Sequence, residues 1–297
     1  MEELWFFLEL VANGIAVGGI YSLIALGFVV IYKATSIVNF ATGEFMMIGA
    51  FFLYTFLVQA GLPLIPSFIL VMLAAFLLGA VVERAILRHM LGQPMISIVM
   101  VTIGLSSILL GLAEMIWSSD FKNYPPIFPR APVVLGQVII RSNFFYGFLI
   151  AVAAVVGLSL IFKYAKIGVA MRATADDQMA AYSMGINVRS MFTVAWALGA
   201  FAAALGGIII GNIGGIQPTL GHIGLKIFPV VILGGLDSIA GAVVGGFIVG
   251  LVENIAGGYL DPYVGGGVKD LAPFVVLVLI LLIKPYGLFG KEDIERL

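Results

Sequence analysis

The chain of 297 residues contains no cysteine and two histidines. It therefore has no disulfide framework, no thiolate metal site and no cysteine nucleophile. His89 and His222 lie far apart, without ligand partners at helical spacing, which argues against zinc. Charge is scarce too: Asp, Glu, Lys and Arg make up 10% of residues and sum to a net −1. Lys and Arg are scattered over loops, with no basic stripe of the kind that binds nucleic acid. The pattern GxxxxGK[ST] is missing, so the chain carries no P-loop of its own. HExxH and GxSxG are missing as well, which leaves an intramembrane protease or lipid hydrolase without a nucleophile–base pair.

Apolar side chains fill the space: 62% of residues are hydrophobic. Soluble domains do not have this composition, and a spanning helix needs about 20 apolar residues. Hydrophobic segments lie at 10–32, 37–60, 64–82, 94–117, 144–162, 190–211, 225–236, 240–257 and 271–288. The segment 225–236 is too short to span at about 1.5 Å per residue, so it is either a half-helix or one part of a broken pair with 240–257. The expected fold class is all-α: a polytopic transmembrane helical bundle of about eight spans plus a short or broken helix. Residues 1–297 are expected to form a single transmembrane domain, with no soluble domain attached. The start, MEELWFFLEL, has no basic n-region and no small-residue cleavage site, which predicts a retained first helix.

Lys and Arg set the expected orientation. With the N-terminus outside and every segment crossing, Lys33, Arg84, Arg88, Lys163, Lys166, Arg172, Arg189, Lys284, Lys291 and Arg296 fall inside. Only Lys122, Arg130, Arg141, Lys226 and Lys269 fall outside. The loop 163–189 and the tail KEDIERL are then cytoplasmic, and the Pro-containing loop 118–143 is external. Residues 37–52 and 231–248 echo one another, each setting a small, polar, acidic break beside an apolar run. That pattern is compatible with an inverted repeat and broken helices in matching places, with both breaks on the cytoplasmic side.

Three polar residues stand at the first break: Asn39, Thr42 and Glu44. A carboxylate facing the bilayer centre costs about 3 kcal/mol, so such groups turn to the bundle interior or to water. Either the three line a pathway or latch its inner end, or Thr42 caps a helix and Glu44 sits at the interface in its first turn. Glu114, beside Trp117, and Glu253 are expected near the outer surface. Residues 211–218, GNIGGIQP, form an outer break. Small residues such as Gly14, Gly18, Ala203, Gly207, Gly245 and Gly246 suit close helix packing.

The loop 163–189, KYAKIGVAMRATADDQMAAYSMGINVR, is a polar, helix-compatible island between spans. Residues 170–184 can form one helix, started by Gly168 and ended by Gly185 in a left-handed cap. Asp176 and Asp177 share a side. Ala173, Ala180 and Ala181 offer a small face, and Met171, Met179 and Met184 could fill a groove on a soluble partner.

Residues 179–185, MAAYSMG, resemble the EAA…G coupling loop of bacterial ATP-binding-cassette importers, with Met179 where the founding motif has Glu. The wider strings KIGVAMRATADDQMAAYSMGINV, GIYSLIALGFVVIYKATSIVNFATGEFMMIGAF and FPVVILGGLDSIAGAVVGGFIVGLVE resemble the high-affinity branched-chain amino acid permeases, closest to the shorter of their two permease subunits. The likeness covers nearly the whole chain. It implies uptake of Leu, Ile or Val across a bacterial inner membrane. The implied partners are a second homologous permease, two cytoplasmic ATP-binding subunits and a periplasmic binding protein. ATP and magnesium would reside on the partner ATPases and no cofactor in this chain. It further implies that Arg172, Ala173, Thr174, Asp176, Asp177, Ala180, Ala181 and Gly185 make or shape the ATPase contact. Asn39, Thr42 and Glu44 would be pathway or gate residues. Related permeases carry urea or short amides. An ion-coupled secondary transporter is the rival class, and it would need an acidic or His relay at mid-membrane depth.

Overall fold

The computed structural model describes residues 2–90, 92–129, 131–136 and 138–290. Arg130 and the tail KEDIERL lie outside the described residues. The chain is a helical bundle. In order it forms α1 (Glu2–Thr35), α2 (Thr42–Tyr54, continued by a π-helical turn Thr55–Gln59), α3 (Leu64–Ala85) and α4 (Met95–Trp117). A two-stranded ribbon follows, β1 (Val133–Leu135) and β2 (Val138–Ile140), and then α5 (Ser142–Tyr164). Two short helices, α6 (Lys166–Asp176) and α7 (Gln178–Ser183), lead into α8 (Val188–Gly214). The chain ends with a 3-10 turn (Pro218–His222), α9 (Ile223–Gly234), α10 (Ile239–Val264) and α11 (Val268–Ile283).

Among the described residues, seven helical stretches are long and apolar enough to cross a membrane, and Pro218–Gly234 is a shorter apolar one. The helix α11 stops at Ile283 instead of running to 288. The chain then turns back, and Leu288 and Phe289 donate their amides to Leu233 and Gly234. Conversely, α10 continues past residue 257 to Val264 and ends at the left-handed Gly265.

The short seventh segment completes a pass without a full helix. At one end Ile216 pairs with Lys122 of the 118–143 loop. At the other, Gly234 packs backbone to backbone on Gly241 at the start of α10. Between them an extended stretch, the 3-10 turn and α9 carry the chain from one face of the bundle to the other. Lys33, Arg84, Arg88, Lys163, Lys166, Arg172, Arg189 and Lys284 then share one end, called here the basic end. Lys122, Arg141 and Lys269 sit at the opposite end.

Of the long helices, α1 and α8 have the most deeply buried apolar stretches, and they form the axis of the bundle. The broadest interface joins α1 to α10. Small residues make it possible: a β-carbon on Gly18 would lie 2.8 Å from the carbonyl oxygen of Gly246. Close backbone approach of this kind replaces the hydrophobic drive that lipid removes. In contrast, α4 and α5 present Ile96, Met100, Ile108, Met115, Val156 and Leu160 outward, as lipid-facing helices do.

Candidate functional site

The first break is set by a left-handed turn. Ser36 has φ 56°, and its amide donates to the Tyr32 carbonyl at 2.7 Å, which ends α1. Residues 37–41 are then non-helical. Irregular backbone at membrane depth persists only when protein groups satisfy it. Here the Ile37 amide donates to the Thr35 hydroxyl at 3.3 Å, and the Phe40 amide to the Thr102 hydroxyl at 3.4 Å. The Ala41 amide donates to Asn39 Oδ1 at 3.0 Å.

This break climbs further than hydropathy implied. Thr102 lies seven residues into α4, about 10 Å from its start. Just beyond the break, Met46 packs on Gly207, which is nineteen residues, about 28 Å, into α8. The break therefore opens at the basic end, but α2 begins near mid-depth. Asn39, Thr42 and Glu44 are 1%, 3% and 7% exposed. Thr42 is not the helix cap: Ala41 holds that position without a side-chain bond, and the Thr42 hydroxyl donates back to the Asn39 carbonyl at 2.9 Å. The Glu44 carboxyl reaches back to its own amide and to the Ser106 hydroxyl on α4. Its Oε2, and Nδ2 of Asn39, are buried without a partner.

The opposing wall is the half-helix. Gly43 touches Gly221 and Gly224, and the Phe40 ring stacks on Phe228 with centroids 4.7 Å apart. Two interrupted elements, the start of α2 and the 3-10 turn leading into α9, thus meet at one seam.

The 163–189 loop holds two helices, not the single helix expected over 170–184. The break falls at Asp177, whose φ of −155° is extended and whose Oδ1 accepts the amides of Met179 and Ala180 at 2.8 and 2.9 Å. Asp177 is thus the cap of α7. Gly168 does not start a helix. It sits inside α6, where a β-carbon would overlap the Phe162 carbonyl. Gly185 does end α7 with φ +82°, and the Ile186 amide donates to Ala181.

The predicted contact residues divide between two sides. Arg172 donates to the carbonyls of Phe162 and Lys163, closing the C-terminus of α5 and pinning α6 to it. Thr174 is fully buried, Ala181 is 4% exposed and Ala173 is half-buried. Met171, expected in a partner's groove, is instead packed on Leu26, Phe162 and Ala195. Asp176, Asp177, Ala180 and Gly185 are exposed. Beside them project Met179, Tyr182 and Met184, each more than two-thirds exposed. A cavity of about 940 Å³ separates α7 from the first break, lined by Met179, Tyr182 and Gly185 on one side and Thr35 and Ile37 on the other.

Sequence reasoning missed a third cluster. Glu253 was placed near the surface, and Lys226 in an outer loop. Because α10 runs on to Val264, Glu253 lies mid-helix and is 2% exposed. It accepts from the Tyr21 hydroxyl at 2.8 Å and from Lys226 Nζ at 2.9 Å. Lys226 also meets Asp270 at 2.6 Å, and Lys269 lies 3.8 Å from Glu253. The network ties α9 to α1, α10 and α11. A lysine inside the apolar run IGLKIFPVVILG was the signal, since an intramembrane charge needs a partner.

Comparison with known proteins gives a consistent result. The family model described as the permease component of the branched-chain amino acid transport system matches residues 10–284. The high-affinity branched-chain amino acid transport system permease protein BraD of Pseudomonas aeruginosa is 31% identical over 312 residues, covering 100% of both chains. LivH of Salmonella typhimurium, a permease protein of the same description, is 30% identical over 99% of each chain. A probable branched-chain amino acid transport permease protein LivH of Methanocaldococcus jannaschii is 27% identical over 91% of this chain and 88% of its own. Among solved structures, PsaBC from Streptococcus pneumoniae in complex with Fab shares the fold, with a TM-score of 0.51 at 13% identity. The match covers 95% of this chain and 92% of that one.

Proposed function

The chain belongs to the family of branched-chain amino acid transport system permease components, and from that premise we propose that it is one permease subunit of an ATP-driven importer of leucine, isoleucine and valine. A second homologous permease completes the membrane unit. Two ATP-binding subunits dock on the basic end, which faces the cytoplasm of a bacterial inner membrane, and a periplasmic binding protein delivers substrate to the other end. The N-terminus is then outside. ATP and magnesium are held by the ATPases, not by this chain.

One observation carries the proposal. The helix α7 is a short, separately capped element whose Met179, Tyr182 and Met184 project from the bundle. Flexible methionines and an aromatic on a small helix suit docking into a groove. Arg172, Ala173, Thr174 and Ala181 shape the platform from beneath, while Asp176, Asp177, Ala180 and Gly185 stand at the contact. The helix α7 faces residues 35 and 37, where the first break begins, across the 940 Å³ cavity, so a push on α7 that narrows this space would bear on the break. Closure of the ATPases would thereby reach the seam between α2 and α9, the gate that Asn39, Thr42 and Glu44 adjoin.

Leucine uptake into right-side-out vesicles loaded with ATP tests the reading. Uptake should persist with a protonophore while ATP remains high, and should stop when the ATPases are removed. Uptake that collapses with the proton gradient at constant ATP would replace this reading with ion-coupled transport.

A further inference from the structure

The first turn of α2 is an unfinished polar site. Its N-cap, Ala41, supplies no side-chain acceptor, and within the first turn the Glu44 carboxyl turns back only to its own amide. Such a terminus favours an anion. Two side chains curl over this turn. Asn39 places Oδ1 on the Ala41 amide at 3.0 Å, which holds its Nδ2 over the same turn, and that Nδ2 is buried without a partner. The carboxyl of Glu44 folds back to its own amide beside Ser106, leaving Oε2 buried without a partner. An orphan donor just ahead of the helix and an orphan acid in its first turn thus lie five residues apart in the chain. The other buried orphans among the described residues, on Asn13, Trp196 and Asn212, stand apart from one another. Leaving buried polar atoms unmade is costly, and costlier still away from water.

We infer that this turn holds the headgroup of an amino acid in transit. The amide of Asn39 and the opening amides of α2 take the carboxylate, and Glu44 takes the ammonium. The inference rests on the importer reading above and adds to it the place and chemistry of recognition. The aliphatic side chain lies against the Phe40–Phe228 pair. In this structure the seam is shut, because Gly43 rests directly on Gly221 and Gly224. With no side chain at any of the three, parting the seam opens a slot into which a branched chain fits. Urea and short amides carry neither charge, so the same turn discriminates against them.

The test uses the complex as it purifies with this chain, reconstituted in liposomes with its binding protein. In Glu44→Gln and in Asn39→Asp, leucine imported per ATP hydrolysed should fall about tenfold or more. A merely structural role would lower uptake and hydrolysis together and leave that ratio unchanged. Wild-type complex turning over a diazirine analogue of leucine under illumination should acquire adducts on the segments containing Phe40 or Phe228. That readout needs no variant to fold. Unchanged leucine-to-ATP ratios in both variants, or adducts confined elsewhere, overturn the site and leave the importer standing. Absence of ATP-dependent leucine uptake by the wild type overturns both.

Discussion

A β-carbon added to Gly43 would overlap the carbonyl oxygen of Gly221, so the start of α2 and the 3-10 turn before α9 meet backbone to backbone. Neither partner is a flexible side chain that could yield.

The first prediction follows from that contact. Gly43→Val should destabilise the protein by about 1–3 kcal/mol through overpacking and should abolish uptake. Gly43→Ala should show the same effect in weaker form. Thermal unfolding in detergent, paired with leucine uptake, measures both. A valine variant matching the wild type in both would mean that the seam is more open than described.

The charge cluster gives a second prediction. Lys226→Met leaves the buried carboxylate of Glu253 with only the Tyr21 hydroxyl and the more distant Lys269, and since breaking a buried pair outright costs about 3–5 kcal/mol, the loss should approach the lower end of that range. Removing both charges, in Lys226→Met with Glu253→Gln, should recover most of that loss. Asp270 is 72% exposed, so Asp270→Asn should cost less than about 1 kcal/mol. A double-mutant cycle on unfolding free energy reads the coupling directly. If the double variant is no better than the worse single one, the pair does not act as a unit.

Coupling can be separated from folding at α7. Asp177→Ala removes an acceptor for two amides and should cost about 1 kcal/mol, whereas Asp177→Asn should be tolerated. Gly185→Pro removes an amide and imposes a negative φ where φ is +82°. It should uncouple uptake from ATP hydrolysis while the bundle still assembles. A bulky residue at Ala181, on the buried face of α7, should do the same by lifting the helix. The absence of native cysteine allows a direct check. Met184→Cys should crosslink to an ATPase subunit, and exclusive crosslinking to lipid or to the binding protein would contradict the docking assignment.

Orientation is tested in the same cysteine-free background. Asp120→Cys should react with an impermeant maleimide in intact spheroplasts, and Asp176→Cys only after permeabilisation. The opposite pattern would invert the topology.

Hydropathy located the helices because each buries or presents to lipid a long apolar run, and Gly185 was legible as a cap because its backbone requires φ above zero. Other features leave weaker traces. Asp177 interrupts an Ala- and Met-rich stretch with neither glycine nor proline, so the division of α6 from α7 reads as continuous helix. The depth of Asn39, Thr42 and Glu44 is hidden because Ile37, Val38 and Phe40 make an unwound climb look like a span. The burial of Glu253 is hidden because Gly257, Gly258 and Pro262 look like a terminus, yet α10 passes through all three. Arg172 is expected to make or shape the ATPase contact, and the structure shows how it shapes the platform. The neighbours of Arg172 are the last carbonyls of α5, which no linear pattern reveals.

The amides of residues 37–41 make no ladder of helical hydrogen bonds; those of Ile37, Phe40 and Ala41 go to single hydroxyls and one carboxamide. Redirecting such a stretch means turning a handful of torsion angles. Tilting a packed helix would mean repacking all its neighbours at once. The link between the basic end and the centre of the protein is therefore a pliant strap inside a stiff frame. It should relax quickly after each push, which lets the slow step of a transport cycle belong to the motor and not to the channel it drives.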